Sequence, residues 1–579
     1  MKRLKRPLAA TLAMLLLASC GAKAPKATPD DQVESAQYTA SAPGMNGDVP
    51  VTVTIKGGKI ENVTVGENKE TPNIATHAIE QLPQQIVDTQ SIALDAVSGA
   101  TVTSKAILAA VEAALVEAGL NVDDFKVAPE NDGPIQGEAE TTQVVIVGGG
   151  MAGLMAAYEL KENHPEIDYI LLEKLDMLTG SIPTTGGAIT ATTSKLHSAD
   201  GVEYATGDIV DLFTYTSGAD INGRLVENVY RDSSVAMNRL IDWGCKFINP
   251  SPSSKYSDKV ITYWHDGRGA GLATAMNAYM DKDPANVRLG TKVQSLLVED
   301  GKVVGVHAVD KEKEYDIHAD RVILATGGFG SNEEYMEKYL PLFADGFSST
   351  NAGATGDGIT MTEQFGTKVI GDGSMGSIVA PDGSALMASN FIVNKAGQRF
   401  IGEGEPKYVV QRAISQQEDK AGYLIADSTY ADMDTIQDKI EKGYVKQYDT
   451  LEELAADNGI DPDGLLATVK AYNDAADAGK DIPAEEYSLA ASAATKVEKA
   501  PFYIEKAVLR TFGTIPGLEV NENCQILNGD GVPVEGLYGA GELIAGNVFT
   551  RQYPGAGIGI SWAANSGRYA AVEAVKDLK

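Results

Sequence analysis

A glycine-rich turn between a buried strand and a helix constrains the fold of this chain more than any other feature. The apolar run Val144–Val147 is followed by a G-x-G-x-x-G spacing at residues 148–153 and then by a predicted helix. A second predicted strand, Tyr169–Leu172, ends at Glu173. This order predicts a β-α-β unit of a Rossmann-like α/β domain, in which the helix N-terminus binds a pyrophosphate and the acid binds a ribose. The alternative is a β-α-β unit that binds no ligand.

Further glycine turns favour FAD over NAD as the dinucleotide. Residues 181–187 are rich in hydroxyl groups and glycine, which suits the close approach of a flavin ring. Residues 323–328 and 536–542 each read as a strand running into a glycine turn. One such turn is usually only a turn, but several in strand–turn contexts predict one large cofactor. The predicted FAD contacts are Gly148, Gly150, Ala152, Gly153, Glu173, Lys174, Ser181, Thr185, Gly186, Gly187, Ala325, Thr326, Gly327, Gly328, Asp357, Gly541, Glu542, Gly557 and Ile558.

A second cofactor is predicted near the N-terminus, at residues 95–104. This segment places Ser98, Gly99, Ala100 and Thr101 just ahead of an alanine-rich helix. A threonine hydroxyl at a glycine turn could attach a cofactor that carries a phosphate. The alternative is an ordinary helix cap, in which Ser98 or Thr101 caps a helix beginning near Lys105.

The first twenty residues predict export. Lys2, Arg3, Lys5 and Arg6 are basic, and Leu8–Ala18 is an apolar run too short to span a bilayer as a helix. The run ends in Leu-Ala-Ser-Cys-Gly, which resembles a bacterial lipobox and implies that Cys20 is lipidated. The alternatives are a plain signal peptide and a weak membrane anchor. The predicted location is therefore the outer face of the cytoplasmic membrane, with the lipid on Cys20 as the only membrane contact.

Charge and cysteine content narrow the partners. The formal net charge is −32, and removal of residues 1–19 with their four basic side chains makes it about −36. Such acidity argues against nucleic acid and against anionic lipid as partners of the protein body. Apart from Cys20, only Cys245 and Cys524 remain, and a disulfide between them is open. The chain has no C-x-x-C-H haem motif, and no metal site is expected.

The chain is long enough for several domains. A small α+β module is predicted from alternating strands such as Val51–Ile55, a Gly57-Gly58 turn and a closing helix at Ile107–Ala118. The predicted divisions are a signal peptide at 1–19, a tether at 20–36, the α+β module at 37–122, a linker at 123–141, a first α/β part at 142–364, an inserted domain at 365–503 and a second α/β part at 504–579.

These motifs resemble two known families. The segment D-x-x-S-G-A-T resembles the acceptor of the FMN-binding domain in Rnf-type and sodium-translocating quinone reductase subunits, which implies FMN attached by a flavin transferase to Thr101 through a phosphoester. Residues 141–579 resemble the flavoprotein domain of fumarate reductases of the flavocytochrome c type, a family that includes urocanate reductases and, more distantly, 3-ketosteroid dehydrogenases. That resemblance implies non-covalent FAD. It also implies that residues 365–503, with the helical stretch Asp449–Asp481, form an α+β clamp domain over the substrate.

The resemblance also implies candidate catalytic residues. The family's proton donor is an arginine four residues after the glutamate of an R-F-x-N-E segment; here that segment is 399–403 and the donor position holds Lys407. Lysine is an easier acid than arginine and could protonate a substrate carbon. The alternatives are a solvated surface lysine and donation by Tyr408. Arg510, Arg551 and Tyr553 are placed by the resemblance where a carboxylate or carbonyl would be bound.

The function expected from the resemblance is reduction of an activated carbon–carbon double bond, in an α,β-unsaturated carboxylate or an enone. Electrons would pass from an external donor to FMN and then to FAD. Fumarate itself is disfavoured, because all six histidines precede Asp320 and the clamp lacks the family's carboxylate-binding histidines. Two other functions stay open: a non-catalytic flavin electron relay, and a dehydrogenase that runs in the oxidative direction.

Overall fold

The structure, a computed structural model, divides into two compact units, Met1–Glu130 and Asn131–Lys579, which are described separately. It describes residues 35–45, 47–70, 75–97, 100–128, 133–178, 180–280, 286–379, 386, 391–430, 433–550 and 552–578. The predicted signal peptide, Cys20, Ser98, Gly99 and Arg551 lie outside the described residues, as do the side chains of Thr101, Lys407 and Tyr408.

The N-terminal unit is a three-stranded antiparallel sheet covered by two helices. Its elements are β1 (Ala36–Pro43), β2 (Asp48–Lys56), β3 (Lys59–Val65), α1 (Thr76–Thr89) and α2 (Thr101–Glu117). Alternate residues of β2, including Val49, Val51 and Val53, are buried, which is the pattern of a sheet with one face on the core. The predicted closing helix is present, but it begins at Thr101 rather than near Lys105.

The second unit begins with the α/β part. Its elements up to residue 365 are β4 (Ile135–Gln136), β5 (Glu140–Val147), α3 (Met151–Asn163), β6 (Tyr169–Leu172), β7 (Ala188–Thr190), α4 (Lys195–Ala199), α5 (Thr206–Ser217), α6 (Gly223–Tyr230), α7 (Ser233–Asp242), β8 (Phe247–Ser254), β9 (Ser257–His265), α8 (Arg268–Met280), β10 (Val287–Arg288), β11 (Lys292–Glu299), β12 (Lys302–Val309), β13 (Lys313–Leu324), α9 (Glu333–Tyr339), β14 (Phe347–Ser348) and α10 (Asp357–Thr362).

The remaining elements form the insertion and the return to the α/β part. They are β15 (Val369–Ile370), β16 (Ser374–Val379), β17 (Ile392–Val393), α11 (Lys407–Ser415), β18 (Ala421–Ala426), α12 (Met433–Glu441), β19 (Val445–Tyr448), α13 (Leu451–Asn458), α14 (Pro462–Asp477), β20 (Ile482–Pro483), β21 (Ser488–Leu489), β22 (Phe502–Thr514), β23 (Gly517–Leu518), β24 (Gln525–Leu527), β25 (Pro533–Gly539) and α15 (Ile558–Val575).

A parallel sheet forms the centre of the α/β part and confirms the predicted fold class. Strand β13 lies between β5 and β25, and β6 and β10 continue the parallel arrangement beyond β5. The strand residues Val144–Val147 are buried, as expected for a sheet covered on both faces. Helices α3 and α15 pack against each other next to this sheet. The carboxyl ends of β5, β13 and β25 therefore meet at one edge, where ligands bind in such folds.

The insertion has its own sheet and its own core. Strand β22 pairs with β14, β16, β18 and β19, and β17 extends the sheet beyond β18. A separate apolar cluster between residues 391 and 504 packs helices α13 and α14 on this sheet, with the Phe391 and Tyr472 rings 4.8 Å apart. The predicted division at 503/504 falls inside the continuous strand β22, because this one strand serves both the insertion sheet and the path back to the α/β part.

The predicted linker at 123–141 is shorter in the structure. Phe125 is buried in the N-terminal core, and its carbonyl accepts a hydrogen bond from Ile92 at 2.7 Å. At the other end, Ile135–Gln136 already pairs with β13. Both ends of this polar segment gain structure from contacts that local composition does not encode.

Cys245 and Cys524 are both buried free thiols, so they form no disulfide with each other. Among the helices that the structure describes, none combines the length and the apolar character needed to cross a bilayer.

Candidate active site

A cavity of about 640 Å³ lies at the sheet edge where β5, β13 and β25 end. Its wall runs from the glycine turn after β5 to residues of the insertion. The predicted FAD contacts that line it are Gly148, Gly150, Ala152, Glu173, Lys174, Ser181, Thr185, Gly186, Gly187, Ala325, Thr326, Gly327, Gly328, Asp357, Gly541, Glu542 and Gly557. Residues from four separate glycine turns, spread over 400 positions of sequence, thus meet around one cavity.

Glycine is required at two positions of the first turn for different reasons. Gly148 has φ of +107°, and a Cβ there would overlap the carbonyl of Ala325 at the end of β13. Gly153 does not line the cavity; a Cβ there would overlap the carbonyl oxygen of Gly148. The first glycine permits the turn and the second permits α3 to pack tightly on it, which brings the helix N-terminus to the cavity. Ile558, the other predicted contact outside the wall, is fully buried at the start of α15.

Glu173 is held at the end of β6 by two backbone groups. Its carboxylate accepts hydrogen bonds from the N–H groups of Gly149 at 2.6 Å and Leu175 at 2.7 Å. Burial raises the pKa of Glu173 above its ordinary value, although both hydrogen bonds act in the opposite direction. The side chain therefore lies in the cavity wall in a fixed orientation, as the ribose-binding acid of a dinucleotide site requires.

Lys174 and Asp357 form an ion pair in the same part of the wall. The Lys174 ammonium lies 2.7 Å from Asp357 and 2.7 Å from the hydroxyl of Thr355, which also donates to Asp357 at 2.7 Å. Burial disfavours the ionised carboxyl group of Asp357, but Lys174 and Thr355 outweigh burial and hold its pKa below the ordinary value. The pair links the segment after β6 to the start of α10.

Glu542 is a second buried carboxyl group in the wall. Its Oε1 accepts hydrogen bonds from the backbone N–H of Thr514 at 2.7 Å and from the Thr514 hydroxyl at 3.0 Å. Burial raises the pKa of Glu542, with both hydrogen bonds to Thr514 acting against the shift. This contact ties the turn after β25 to the end of β22.

Two polar atoms in the wall test whether the cavity suits a polar cofactor. The hydroxyl of Thr326 and the amide oxygen of Asn351 are buried and have no hydrogen-bond partner among the residues that the structure describes. Buried polar atoms are nearly always paired, so unpaired atoms in a cavity wall indicate a partner from a ligand. Together with the glycine turn and the helix N-terminus of α3, they fit the donors and acceptors of a flavin dinucleotide.

Tyr553 is the candidate catalytic residue whose side chain is described and which lines the cavity. Its hydroxyl accepts a hydrogen bond at 2.7 Å from the N–H of Gly559, in the first turn of α15. Arg510 is not among the lining residues: its Nε donates to Ser349 at 2.6 Å, and its guanidinium lies 4.6 Å from the centre of the Phe512 ring, which does line the cavity. Burial lowers the pKa of Arg510.

Several lining residues were not predicted from the sequence. They are Lys255 in the hairpin turn between β8 and β9, Trp264 on β9, Met375 on β16 and Pro406 before α11. Trp264 packs so closely on Gly186 that a Cβ there would touch its ring. No motif marks these positions: the pairing of β8 with β9 places Lys255 and Trp264 in the wall, and the pairing of β16 with β22 places Met375 there. The described residues contain no cluster of three or more metal-ligating side chains.

The predicted FMN acceptor segment lies in the other unit. Ala100 is buried, directly precedes α2 and makes no side-chain cap, whereas Ser98 and the side chain of Thr101, the two predicted capping groups, lie outside the described part of the chain. The buried hydroxyl of Thr103 donates to the buried carboxylate of Glu70, and the Ser104 hydroxyl accepts from the Val97 N–H at 3.0 Å. These two contacts fix the first turn of α2, on which Thr101 is the first residue.

Comparison with known proteins gives two domain matches and several relatives. Residues 143–560 match the family described as an FAD binding domain, and residues 44–116 match an FMN-binding domain. The chain is similar to an NADH:acrylate oxidoreductase of Vibrio harveyi (31% identity over 88% of this chain), of which it spans only 58%. It is similar to a urocanate reductase of Eggerthella lenta, with 30% identity and 88% of each chain covered. Among solved structures it is similar to an open conformation of a flavocytochrome c3 fumarate reductase, with 26% identity, a TM-score of 0.61, and 76% of this chain and 78% of that one covered.

Proposed function

The chain belongs to the FAD binding domain family, and from that premise we propose that it reduces an activated carbon–carbon double bond, with an α,β-unsaturated carboxylate as the preferred substrate class. Three relatives support this proposal, because they are named for acrylate, urocanate and fumarate, each an unsaturated acid. The substrate and partners remain a proposal, since the chain spans 58% of the Vibrio harveyi protein.

One observation carries the proposal: the dinucleotide turn and Tyr553, one of the candidate catalytic residues, line a single cavity. Gly148 and Tyr553 both lie in its wall, and so does Pro406 of the insertion, next to Lys407 in the chain. A simple electron relay would need a cofactor near the surface but no enclosed space beside it. Because the insertion contributes to the wall of the FAD cavity, we expect a small substrate to bind between the insertion and the FAD.

When bound, FAD supplies the hydride that adds to the β-carbon, and FMN supplies the electrons that restore it. The protein must then stabilise the enolate and protonate the α-carbon. Tyr553, whose hydroxyl accepts the Gly559 N–H in the cavity wall, is the proposed residue that stabilises the substrate oxygen as it gains charge. Lys407 is the proposed proton donor, with Tyr408 as the alternative, and Arg510 and Arg551 complete the proposed anion-binding set.

Anaerobic reoxidation tests this function. The FAD-loaded protein would be reduced with dithionite and mixed with acrylate, urocanate, cinnamate or fumarate, while the flavin absorbance is followed. We expect at least one unsaturated acid to restore the oxidised spectrum rapidly, and fumarate to be a poor oxidant. Lys407→Ala should retain FAD and lose this reaction, whereas Lys420→Ala, a partly exposed lysine paired with Asp345, should behave as wild type. Reoxidation by a partner protein but by no alkene would point to an electron relay.

We also propose that FMN is attached to Thr101 through a phosphoester made by a flavin transferase. The FMN-binding domain match over residues 44–116 supports this, because it includes the D-x-x-S-G-A-T segment. Intact mass measured on protein made with the transferase should show one FMN less one water in the wild type and in Thr39→Ala. Thr101→Ala should lack this mass. An FMN adduct that persists in Thr101→Ala would place the attachment elsewhere.

The proposed location is outside the cytoplasm, with the protein tethered by a lipid on Cys20 and supplied with electrons by an external donor. The lipobox-like Leu17–Gly21 segment and the acidic body support it. Fractionation tests it: wild-type protein should be in the membrane fraction and Cys20→Ala in the soluble one. Recovery of both in the cytosol would contradict the proposal.

A further inference from the structure

A two-residue hairpin turn in the FAD-binding part holds the segment that precedes α11. Lys255 and Tyr256 form this turn between β8 and β9. The Lys255 ammonium makes an ion pair with Glu405, and the Tyr256 hydroxyl donates to the other oxygen of the same carboxylate at 2.9 Å. Both turn residues therefore converge on one side chain that lies about 150 positions further along the chain.

Burial of Glu405 makes its contact with Lys255 and Tyr256 energetically important. The Glu405 side chain is only 9% exposed, whereas that of Lys255 is 41% exposed. A nearly buried carboxylate is costly without partners, and charge-assisted hydrogen bonds to both of its oxygens offset that cost. An exposed ion pair would contribute little, but loss of Lys255 would leave Glu405 buried with its charge unpaired.

The segment held by Glu405 forms part of the cavity. Lys255 and Pro406 both line it, and α11 begins at the next residue, Lys407. Within the insertion, the same segment is fixed by Glu403, which pairs with Arg399 and accepts the Ile392 N–H at 2.9 Å. Of these two carboxylates, Glu405 is the one that reaches the β8–β9 hairpin, so it connects the insertion to the FAD-binding part at the cavity.

The contact has a direct consequence for the proposed proton donor. A proton donor acts only when it can reach the substrate carbon that it protonates. Misplacement of such a group by about 1 Å can lower a rate roughly 100-fold. Glu405 lies two residues before Lys407, and a single Pro406 separates them. Any shift of Glu405 away from the hairpin would therefore move the first turn of α11.

We propose that Glu405 is a positioning residue, and that its contacts with Lys255 and Tyr256 set the start of α11 against the cavity for proton transfer. This inference rests on the proposed reductase function and on Lys407 as the donor. In it, Lys255 serves as the counter-ion of Glu405 rather than as a binding group for the substrate.

Kinetics of Glu405→Gln and Lys255→Met test the proposal. Each variant should lower kcat roughly 10- to 100-fold with KM little changed, because the lost contact positions the donor and does not bind the substrate. The double variant should be no slower than the slower single variant, since both remove the same contact. Exchanging the charges in Lys255→Glu/Glu405→Lys should recover part of the lost rate.

Hydrogen exchange supplies a test that does not depend on any substrate. In FAD-loaded protein, amides of the peptide 407–415 should exchange faster in Glu405→Gln than in wild type. The matched control is Lys259→Met. Lys259 lies on β9 of the same hairpin, and the variant removes its 2.7 Å ion pair with Asp208 on α5. That variant should change neither exchange in 407–415 nor kcat.

The two experiments separate failure of this inference from failure of the proposed function. If no unsaturated acid oxidises the wild-type protein, the reductase proposal fails, but the exchange measurement still tests the contact. Unchanged exchange in Glu405→Gln, or faster exchange with unchanged kcat, would overturn the positioning role. A raised KM in Lys255→Met with normal kinetics in Glu405→Gln would also overturn it and assign Lys255 to substrate binding.

Discussion

At the scale of single residues, two buried glutamates in the cavity wall differ in how their carboxyl groups are held. Glu173 and Glu542 both line it and both have a raised pKa. They differ in their partners: Glu173 uses both oxygens for backbone N–H groups, whereas the two hydrogen bonds from Thr514 reach the same oxygen of Glu542. An amide could therefore replace the carboxyl group of Glu542 and keep both of those bonds.

We predict that Glu542→Gln makes the FAD-free protein less sensitive to rising pH. A carboxyl group with a raised folded pKa binds protons more tightly in the folded state, so its stabilising contribution is present at acid pH. That contribution is lost as pH rises from the unfolded pKa near 4.5 through the raised folded value. Melting temperatures measured from pH 4.5 to pH 8 should therefore fall less steeply in Glu542→Gln than in wild type.

The exposed Glu485 provides the control for this measurement. Glu485→Gln should give the wild-type pH dependence. Parallel curves for Glu542→Gln and wild type would show that Glu542 ionises in the folded protein as it does in the unfolded chain.

Sequence alone predicted the residues of local motifs and missed those that reach the cavity through tertiary contacts. Gly148 and Glu173 belong to one short β-α-β unit, so their spacing carried the information. Lys174 and Asp357 were both predicted as FAD contacts, but their ion pair was not, because the two residues lie 183 positions apart in the sequence. Lys255 and Met375 carry no motif, and only the pairing of β8 with β9 and of β16 with β22 places them in the wall.

At the scale of elements, the fit of α3 against the turn after β5 decides whether the cofactor site forms. We predict that Gly153→Ala destabilises the protein by about 1–3 kcal/mol or more and abolishes FAD binding, because its Cβ would overlap the backbone carbonyl of Gly148. Thermal unfolding and FAD titration measure the two effects.

Gly207→Ala is the matched control for a helical glycine. Gly207 lies in the first turn of α5, and a Cβ there would meet no atom within 4 Å. Alanine at such a site should be neutral or stabilising by about 0.4–1 kcal/mol, through its effect on the unfolded chain. Normal FAD binding by Gly153→Ala would mean that α3 can shift without loss of the site.

The ends of the domains were harder to predict from the sequence than the strands themselves. The strands β5 and β6 were predicted from apolar runs, and the structure has them at Glu140–Val147 and Tyr169–Leu172. Strand β22 crosses the predicted end of the insertion because its thirteen residues pair both with β18 of the insertion and with β14 of the first α/β part. Hydrophobic pattern identifies such a strand, but it does not reveal which neighbours the strand will pair with.

At the scale of the whole molecule, the chain consists of two units with separate apolar cores. One core is formed by residues between Ala42 and Phe125, and the larger unit contains the clusters that include the parallel sheet and the insertion. Each unit is large enough to bury its own core, so each meets the physical requirement for folding alone. Strand β4 (Ile135–Gln136) pairs with β13, so a division of the chain must lie before it.

We predict that fragment 131–579 folds, binds FAD and reduces the substrate of the full chain when dithionite-reduced viologen supplies electrons. It retains the glycine turns, the insertion and the wall of the cavity, all of which belong to the second unit. It should carry no FMN and should lose the reaction with donors that deliver electrons through FMN.

The full chain with Thr101→Ala is its matched comparison, because that variant keeps the first unit and lacks only the attachment residue. If the fragment and the variant both react with viologen but not with the physiological donor, FMN is the point of electron entry. A fragment that folds without binding FAD would show instead that FAD binding requires the N-terminal unit.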